Sequence, residues 1–304
     1  MSVRRHRHLV HVGLHKTGST WLQNDVFPQL PGFTFGNFDP VLSALLGNLM
    51  SADDDHFFDV AFAAVVAHYE ARETRLLLSH EGLSGSLFAT GATGRRSARR
   101  LASVLPDADV LLLIRNQPEM LLAAYAQYVN EGGSASFSRF TTGDVEGPVF
   151  ELESLEYHRL LEIYVDLFGG ERVCVFPYEH LRNEPTAFLD ELHRRYGADL
   201  GELSTRRVNV SLSPAGLAVL RTWNRLFRAT AFNPSPALRP LPGGRRVRNS
   251  LQMHIDPVLR QLVPEAVTAG RLRSARGICA RYAAGNRRVE ELTGWDLGAL
   301  GYPL

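Results

Sequence analysis

Four short apolar runs punctuate the first two thirds of the chain: residues 9–14 (LVHVGL), 75–79 (RLLLS), 110–114 (VLLLI) and 173–176 (VCVF). They are near-continuous rather than alternating, which is the pattern of parallel strands covered on both faces. Segments of helical period lie between them. One follows Ser19. A second runs from Pro118 to about 129, with Leu121, Ala124, Tyr125 and Tyr128 on one face. A third spans 151–168, carrying Leu152, Leu155, Leu160 and Ile163, and a fourth covers 185–196 until Gly197 stops it. Strands that alternate with helices predict an α/β chain, with a central parallel sheet flanked by helices.

The last third changes character. Ser213-Pro214 is an N-cap followed by proline at the first helical position, and Leu217, Leu220, Trp223 and Phe227 continue a helix. Residues 233–249 (NPSPALRPLPGGRRVRN) are rich in proline, glycine and arginine and predict a loop. Helices are expected again near 255–268 and 271–292. No linker in the first 200 or so residues divides the chain, so one domain is expected over 1–304. Its core covers about 8–215, and a helical extension covers about 213–304.

Composition narrows the partners. At 304 residues, 45% hydrophobic and 21% charged, the chain is an ordinary globular one. A net charge of +1 gives no global pull toward nucleic acid. No apolar run approaches the length of a membrane span, and the start is too short and polar for a signal peptide. Cys174 and Cys279 are too few for a disulfide framework or a structural zinc site, and they suit a reducing cytoplasm. His6 and His8 can share a strand face but His11 cannot join them, and Asp53 to Asp55 before His56 read as an acidic surface loop, so no metal is expected.

One count singles out a residue. Of the 33 lysines and arginines, Lys16 is the one lysine. It lies in HKTGSTWLQ, residues 15–23, where a strand meets a glycine turn and a helix start. Unpaired N–H groups and the dipole at such a start bind anions. Thr17, Ser19 and Thr20 add hydroxyls. The spacing of Gly13 and Gly18 matches a Walker A loop, but Ser19 stands where that loop needs its lysine. Lysine two residues before the second glycine suits the bridging oxygen of a phosphate-linked leaving group.

His15-Lys16-Thr17-Gly18-Ser19-Thr20-Trp21-Leu22 after a first strand resembles the 5′-phosphosulfate loop of sulfotransferases that use 3′-phosphoadenosine 5′-phosphosulfate (PAPS). Three further stretches fit in order: Arg115 at the end of the VLLLI run, FPYEHL at 176–181, and STRRVNVSLSP at 204–214. The resemblance covers roughly 8–215, and the last segment is similar to bacterial members. It implies a P-loop-like three-layer fold and PAPS as sulfuryl donor, with no metal required. It implies that Lys16, Thr17, Gly18, Ser19 and Thr20 hold the 5′-phosphosulfate and that Arg115 holds the 3′-phosphate, with Arg206 or Arg207 completing that site. Tyr178 is then placed near the adenine, and Trp21 is a second candidate there. The family's serine falls at Ala123, which has no hydroxyl; Tyr125 lies two residues on.

Ligands of parallel sheets sit beyond the carboxyl ends of the strands. If the runs at 9–14 and 75–79 are neighbours, Ser79, His80 and Glu81 face the loop. Glu81 is the first candidate for general base, His80 the second and His15 the third. The expected activity is sulfuryl transfer to a hydroxyl or amine of a carbohydrate or small-metabolite acceptor. Arg239, Arg245, Arg246 and Arg248 make the 233–249 loop a candidate gate. Two alternatives stand beside this: a P-loop nucleotide kinase, and a non-catalytic nucleotide-binding member of the same family. The helical last third is expected to close the core or to form a homodimer surface.

Overall fold

The computed structural model describes residues 7–50, 58–72, 74–88, 92–197, 212–241, 243–262 and 265–304. Five strands make one parallel sheet: β1 (Leu9–Gly13), β2 (Phe33–Phe35), β3 (Arg75–His80), β4 (Asp109–Ile114) and β5 (Val173–Pro177), in the order β2-β3-β1-β4-β5. Four of them are the four apolar runs. β2, FTF, is only three residues long and carries no periodic signal of its own.

The strand centres are almost continuously apolar because both faces are covered. In β1, Val10 and Val12 join one core with Leu76, Leu78, Val110 and Leu112. Leu9 joins the other with Leu77, Leu111, Leu113 and Phe176. That alternation is the period-two geometry of a strand, applied with apolar residues on both sides. His11 is the polar residue within β1. It is fully buried, and its Nδ1 lies 2.8 Å from the Ser79 hydroxyl opposite it on β3.

Helices connect the strands. α1 (Ser19–Trp21) runs on as a π-helical turn through Val26. α2 (Pro40–Met50) and α3 (Phe58–Glu70) precede β3, and α4 (Ala92–Val104) follows it. α5 (Gln117–Asn130) and α6 (Phe137–Thr141) follow β4, and α7 (Tyr157–Phe168) leads into β5. The 151–168 segment is not one helix. A short 3-10 turn ends at Leu155, and Glu156 leaves helical geometry before α7 begins. After β5 come α8 (Tyr178–Asn183) and α9 (Pro185–Tyr196). Gly197 ends α9 at φ 69°, in the left-handed region expected of a helix stop.

The last third holds α10 (Pro214–Phe227), α11 (Gly244–Ser250), α12 (Asp256–Leu262), α13 (Glu265–Cys279) and α14 (Ala283–Thr293). Ser213 caps α10 by accepting the Gly216 N–H at 3.0 Å. Two expectations change here. The arginine-rich end of 233–249 is helical, since Gly243 at φ 96° turns the chain into α11. The helices expected at 255–268 and 271–292 are divided differently: α12 covers Asp256–Leu262, α13 runs from Glu265 to Cys279, and Ala280–Tyr282 separates α13 from α14. α13 packs on α5 and α14 on α7, so the C-terminal helices lie against the sheet-flanking layer. Among the described residues, no helix is long and apolar enough to cross a membrane.

Candidate active site

β1 sits between β3 and β4, and the chain leaves it in opposite directions on its two sides. The carboxyl ends of these three strands therefore frame the crevice in which α/β sheets bind ligands. Residues 15–20 leave β1 there, His80 and Glu81 leave β3, and Arg115 leaves β4.

The loop is tightly built. Lys16 has φ 66°, the one non-glycine residue in the left-handed region among those described, and Gly18 follows at φ 88°. A side chain in that region costs roughly 1–2 kcal/mol, and such strain persists where neighbours hold it. The Lys16 carbonyl accepts Arg115 Nη1–H at 2.9 Å, and its ammonium donates to Gln127 Oε1 at 2.7 Å. Thr17 is buried and donates to the Leu14 carbonyl at 2.6 Å, so its hydroxyl shapes the loop. Ser19 is buried beside Gly13, where a Cβ would come within 2.6 Å of Ser19 Oγ. That hydroxyl lies against Glu81, where it helps hold the carboxyl below its usual range, and it has no better-formed hydrogen bond among the described residues. Thr20 is exposed, and Trp21 packs against the second core.

Glu81 meets the loop through His15. His15 Nδ1 is 3.1 Å from Glu81 Oε2, and His15 Nε2 is 3.1 Å from the Gly85 carbonyl. Both ring nitrogens face acceptors. The arrangement is satisfied by an imidazolium donating twice, or by a proton on Glu81 donated to Nδ1. Burial raises the Glu81 pKa, but the hydrogen bond and charge of His15 and the charge of Lys16 outweigh it and hold the carboxyl below its usual range. Desolvation lowers the Lys16 pKa, with Arg248 and Arg115 adding repulsion against the attraction of Glu81 and Glu131. His80 turns elsewhere. Its Nδ1 accepts the Gly82 N–H at 2.9 Å and caps the turn after β3, and burial pulls its pKa down.

Arg115 is placed by its neighbours on three sides. Besides the Lys16 carbonyl, Nη2 reaches Glu119 Oε2 at 3.1 Å, and Cζ lies 4.9 Å from the centre of the Tyr178 ring. Its buried Nε has no partner among the described residues. Tyr178 also backs onto the loop: a Cβ at Gly18 would touch its ring at 3.3 Å. The next residue, Glu179, is buried and accepts the Asn116 N–H and the Tyr302 hydroxyl, each at 2.9 Å. Burial raises its pKa. It pins the turn that carries Arg115 to the C-terminal tail.

A cleft of about 290 Å³ opens beside these groups. His15, Lys16, Glu81, Gln127 and Glu131 form its polar side, and Leu87, Phe88, Pro148 and Phe232 its apolar side. A larger groove of about 490 Å³ follows the free edge of β5, away from the loop, with none of the residues just described in its lining.

The tertiary structure thus brings Lys16, Ser19, Glu81, Arg115 and Tyr178 to one place. His80 and Trp21 lie at its margin with other partners. Arg206 and Arg207 fall outside the described residues, as do His6, Asp53 to Asp55 and His56. Gln127, Glu131, Glu119 and Arg182 were not anticipated. A helix-period reading from Arg115 finds Glu119 one turn on, but nothing local marks the other three. Arg248, from the predicted gate, is on α11, where its Nε donates to Asn130 Oδ1 at 3.1 Å.

No family model matches the chain, and no curated protein matches it. Among solved structures, it is similar to a sulfotransferase from Alicyclobacillus acidocaldarius, at 16% identity over 72% of this chain and 93% of that one, with a TM-score of 0.46. It is also similar to the mouse sulfotransferase SULT7A1 complexed with PAP, at 12% identity over 94% of this chain and 90% of that one, with a TM-score of 0.42.

Proposed function

We propose that the chain is a PAPS-dependent sulfotransferase, acting on a small acceptor hydroxyl or amine in the 290 Å³ cleft. The observation that carries this is the joining of three strand ends. The Lys16 loop, Arg115 bonded to the Lys16 carbonyl, and the His15–Glu81 pair share one crevice. A phosphate-bearing donor fits the chemistry present: Arg115 Nε, without a partner among the described residues, is a polar atom that an anion would satisfy.

In this reading Lys16, Ser19, Thr20 and the first-turn N–H groups hold the phosphosulfate, and Arg115 holds the 3′-phosphate. Lys16 stabilises charge on the departing phosphate oxygen. The acceptor O–H or N–H loses its proton to Glu81 as the new oxygen–sulfur or nitrogen–sulfur bond forms and the old sulfur–oxygen bond breaks. The hydrogen bond from His15 to Gly85 fixes the imidazole that orients Glu81. The apolar wall of Leu87, Phe88, Pro148 and Phe232 suits a compact acceptor with a hydrophobic face. A kinase reading is disfavoured because an arginine, not a metal-binding aspartate, ends β4.

The test is calorimetry with adenosine 3′,5′-bisphosphate and, beside it, magnesium ATP, followed by sulfuryl transfer from PAPS across a panel of phenols, amines and sugars. Micromolar bisphosphate binding with weak ATP binding, and turnover of at least one acceptor, is expected. ATP binding without the bisphosphate would overturn the proposal.

A further inference from the structure

We infer that Arg182 is a second phosphate-binding arginine of this site and that Glu119 is its resident counter-ion, displaced when a phosphate-bearing ligand arrives. This rests on the nucleotide reading above and adds to it a residue and an exchange. Arg182 lies near the end of α8, and Arg115 follows β4. Both guanidinium groups converge on one oxygen, Glu119 Oε2, at 3.4 Å from Arg182 Nη1 and 3.1 Å from Arg115 Nη2. Both also approach the same ring, with Cζ atoms 5.9 Å and 4.9 Å from the centre of Tyr178.

Two cations share one carboxylate oxygen, and among the described residues the buried Arg115 Nε has no partner. A phosphate offers three oxygens and up to two charges where Glu119 offers a single shared oxygen, so it is the better match for two arginines. Glu119 is held loosely enough to leave. Its side chain is 35% exposed and that of Arg182 is 34% exposed, so solvent and ligand reach both. Once released, Glu119 still lies in the first turn of α5, where the helix dipole favours a negative charge.

The experiment measures binding of adenosine 3′,5′-bisphosphate and of adenosine 5′-monophosphate to wild type, Arg182→Gln, Arg182→Lys and Glu119→Gln, with thermal melts to confirm folding. Arg182→Gln is expected to weaken the bisphosphate about tenfold or more while changing the monophosphate less than about threefold, and Arg182→Lys to fall between. Glu119→Gln is expected to tighten the bisphosphate by about threefold or more, because the competing carboxylate is gone. Bisphosphate affinity unchanged in Arg182→Gln, or weakened in Glu119→Gln, would reduce the trio to a surface ion pair and overturn the inference. If wild type bound neither nucleotide, the sulfotransferase reading would fall, and inorganic phosphate would then be the probe. A melting temperature raised by phosphate in wild type, raised further in Glu119→Gln and not raised in Arg182→Gln, would retain the anion site. Equal responses would remove it.

Discussion

His15 Nδ1 and Glu81 Oε2 stand 3.1 Å apart although 66 positions separate them in the chain. They meet because β1 and β3 are neighbours in register, Val12 opposite His80, so the residues just beyond each strand converge. The second nitrogen of His15 is tied to the Gly85 carbonyl, which leaves the ring one orientation.

That pair sets a pH dependence. Glu81 accepts a proton only when ionised, and its pKa is held below the usual 4.5. In the proposed reaction Lys16 would stabilise the leaving group only when protonated, and burial lowers its pKa from 10.5. The kcat/KM profile for sulfuryl transfer is therefore expected to be flat through neutrality. It should fall only below about pH 4.5 and turn down on the alkaline side earlier than free lysine would dictate. Glu81→Gln should lower kcat by about 100-fold or more and leave bisphosphate affinity nearly unchanged. A variant with wild-type kcat would exclude Glu81 as the base.

Lys16→Ala is expected to cut kcat by about 100-fold or more. Gln127→Ala frees the ammonium from its 2.7 Å hydrogen bond. It should lower kcat far less, by roughly threefold to tenfold, as expected for the loss of a net hydrogen bond that orients the group. Steady-state kinetics on the two variants separates the charge from its positioning.

Gly13→Ala tests the packing of the loop. The new Cβ would stand 2.6 Å from Ser19 Oγ and 3.0 Å from a carbon of the His11 ring, both buried. Overpacking of this kind costs about 1–3 kcal/mol. A urea titration should show that loss together with weakened bisphosphate binding. Unchanged stability would mean that the loop yields easily.

His11 predicts acid sensitivity of the fold. Burial outweighs the attraction of Glu81 and brings its pKa from 6.5 to about 3. The folded chain keeps the ring neutral, whereas the unfolded chain protonates it below about pH 6.5. Between these values the unfolded state binds more protons, so stability falls as pH drops from about 6.5 toward 3, by at most roughly 1.4 kcal/mol per unit. The urea midpoint should decline more steeply between pH 7 and pH 5 in wild type than in His11→Gln. Parallel slopes would assign the acid loss to other groups.

Glu179 makes the last prediction. Glu179→Ala removes the acceptor of both the Asn116 N–H and the Tyr302 hydroxyl. Leaving buried donors unsatisfied costs about 1–3 kcal/mol. Tyr302→Phe should cost less, because the carboxylate keeps Asn116. Chemical denaturation of both variants orders the two effects.

Much of this was legible along the chain, where the cause is local. Near-continuous apolar runs marked four strands, since a strand covered on both faces is mostly apolar, with paired polar residues such as His11 and Ser79 the exception. A glycine after a strand and before a helix marked the loop, and Gly18 does take the left-handed turn expected of it. Ser213 and Gly197 marked helix ends through cap chemistry. The convergence of Lys16, Glu81 and Arg115 followed from strand ends, given the strand order. β2 was not legible, because three residues are too few to show a period. The helix Gly244–Ser250, at the end of the loop expected over 233–249, was hidden by the glycines and prolines before it.

The choice of partners belonged to the tertiary structure alone. His15 rather than His80 faces Glu81, because the turn after β3 uses His80 as its own cap. Lys16 reaches Gln127 across 111 positions, and Arg182 reaches Glu119 across 63. Backbone pattern is set by neighbours in sequence, and the chain carries that information openly. Which side chains share a proton or a carboxylate oxygen depends on strand order, register and the angle at which helices return to the sheet. Those are properties of the packed whole.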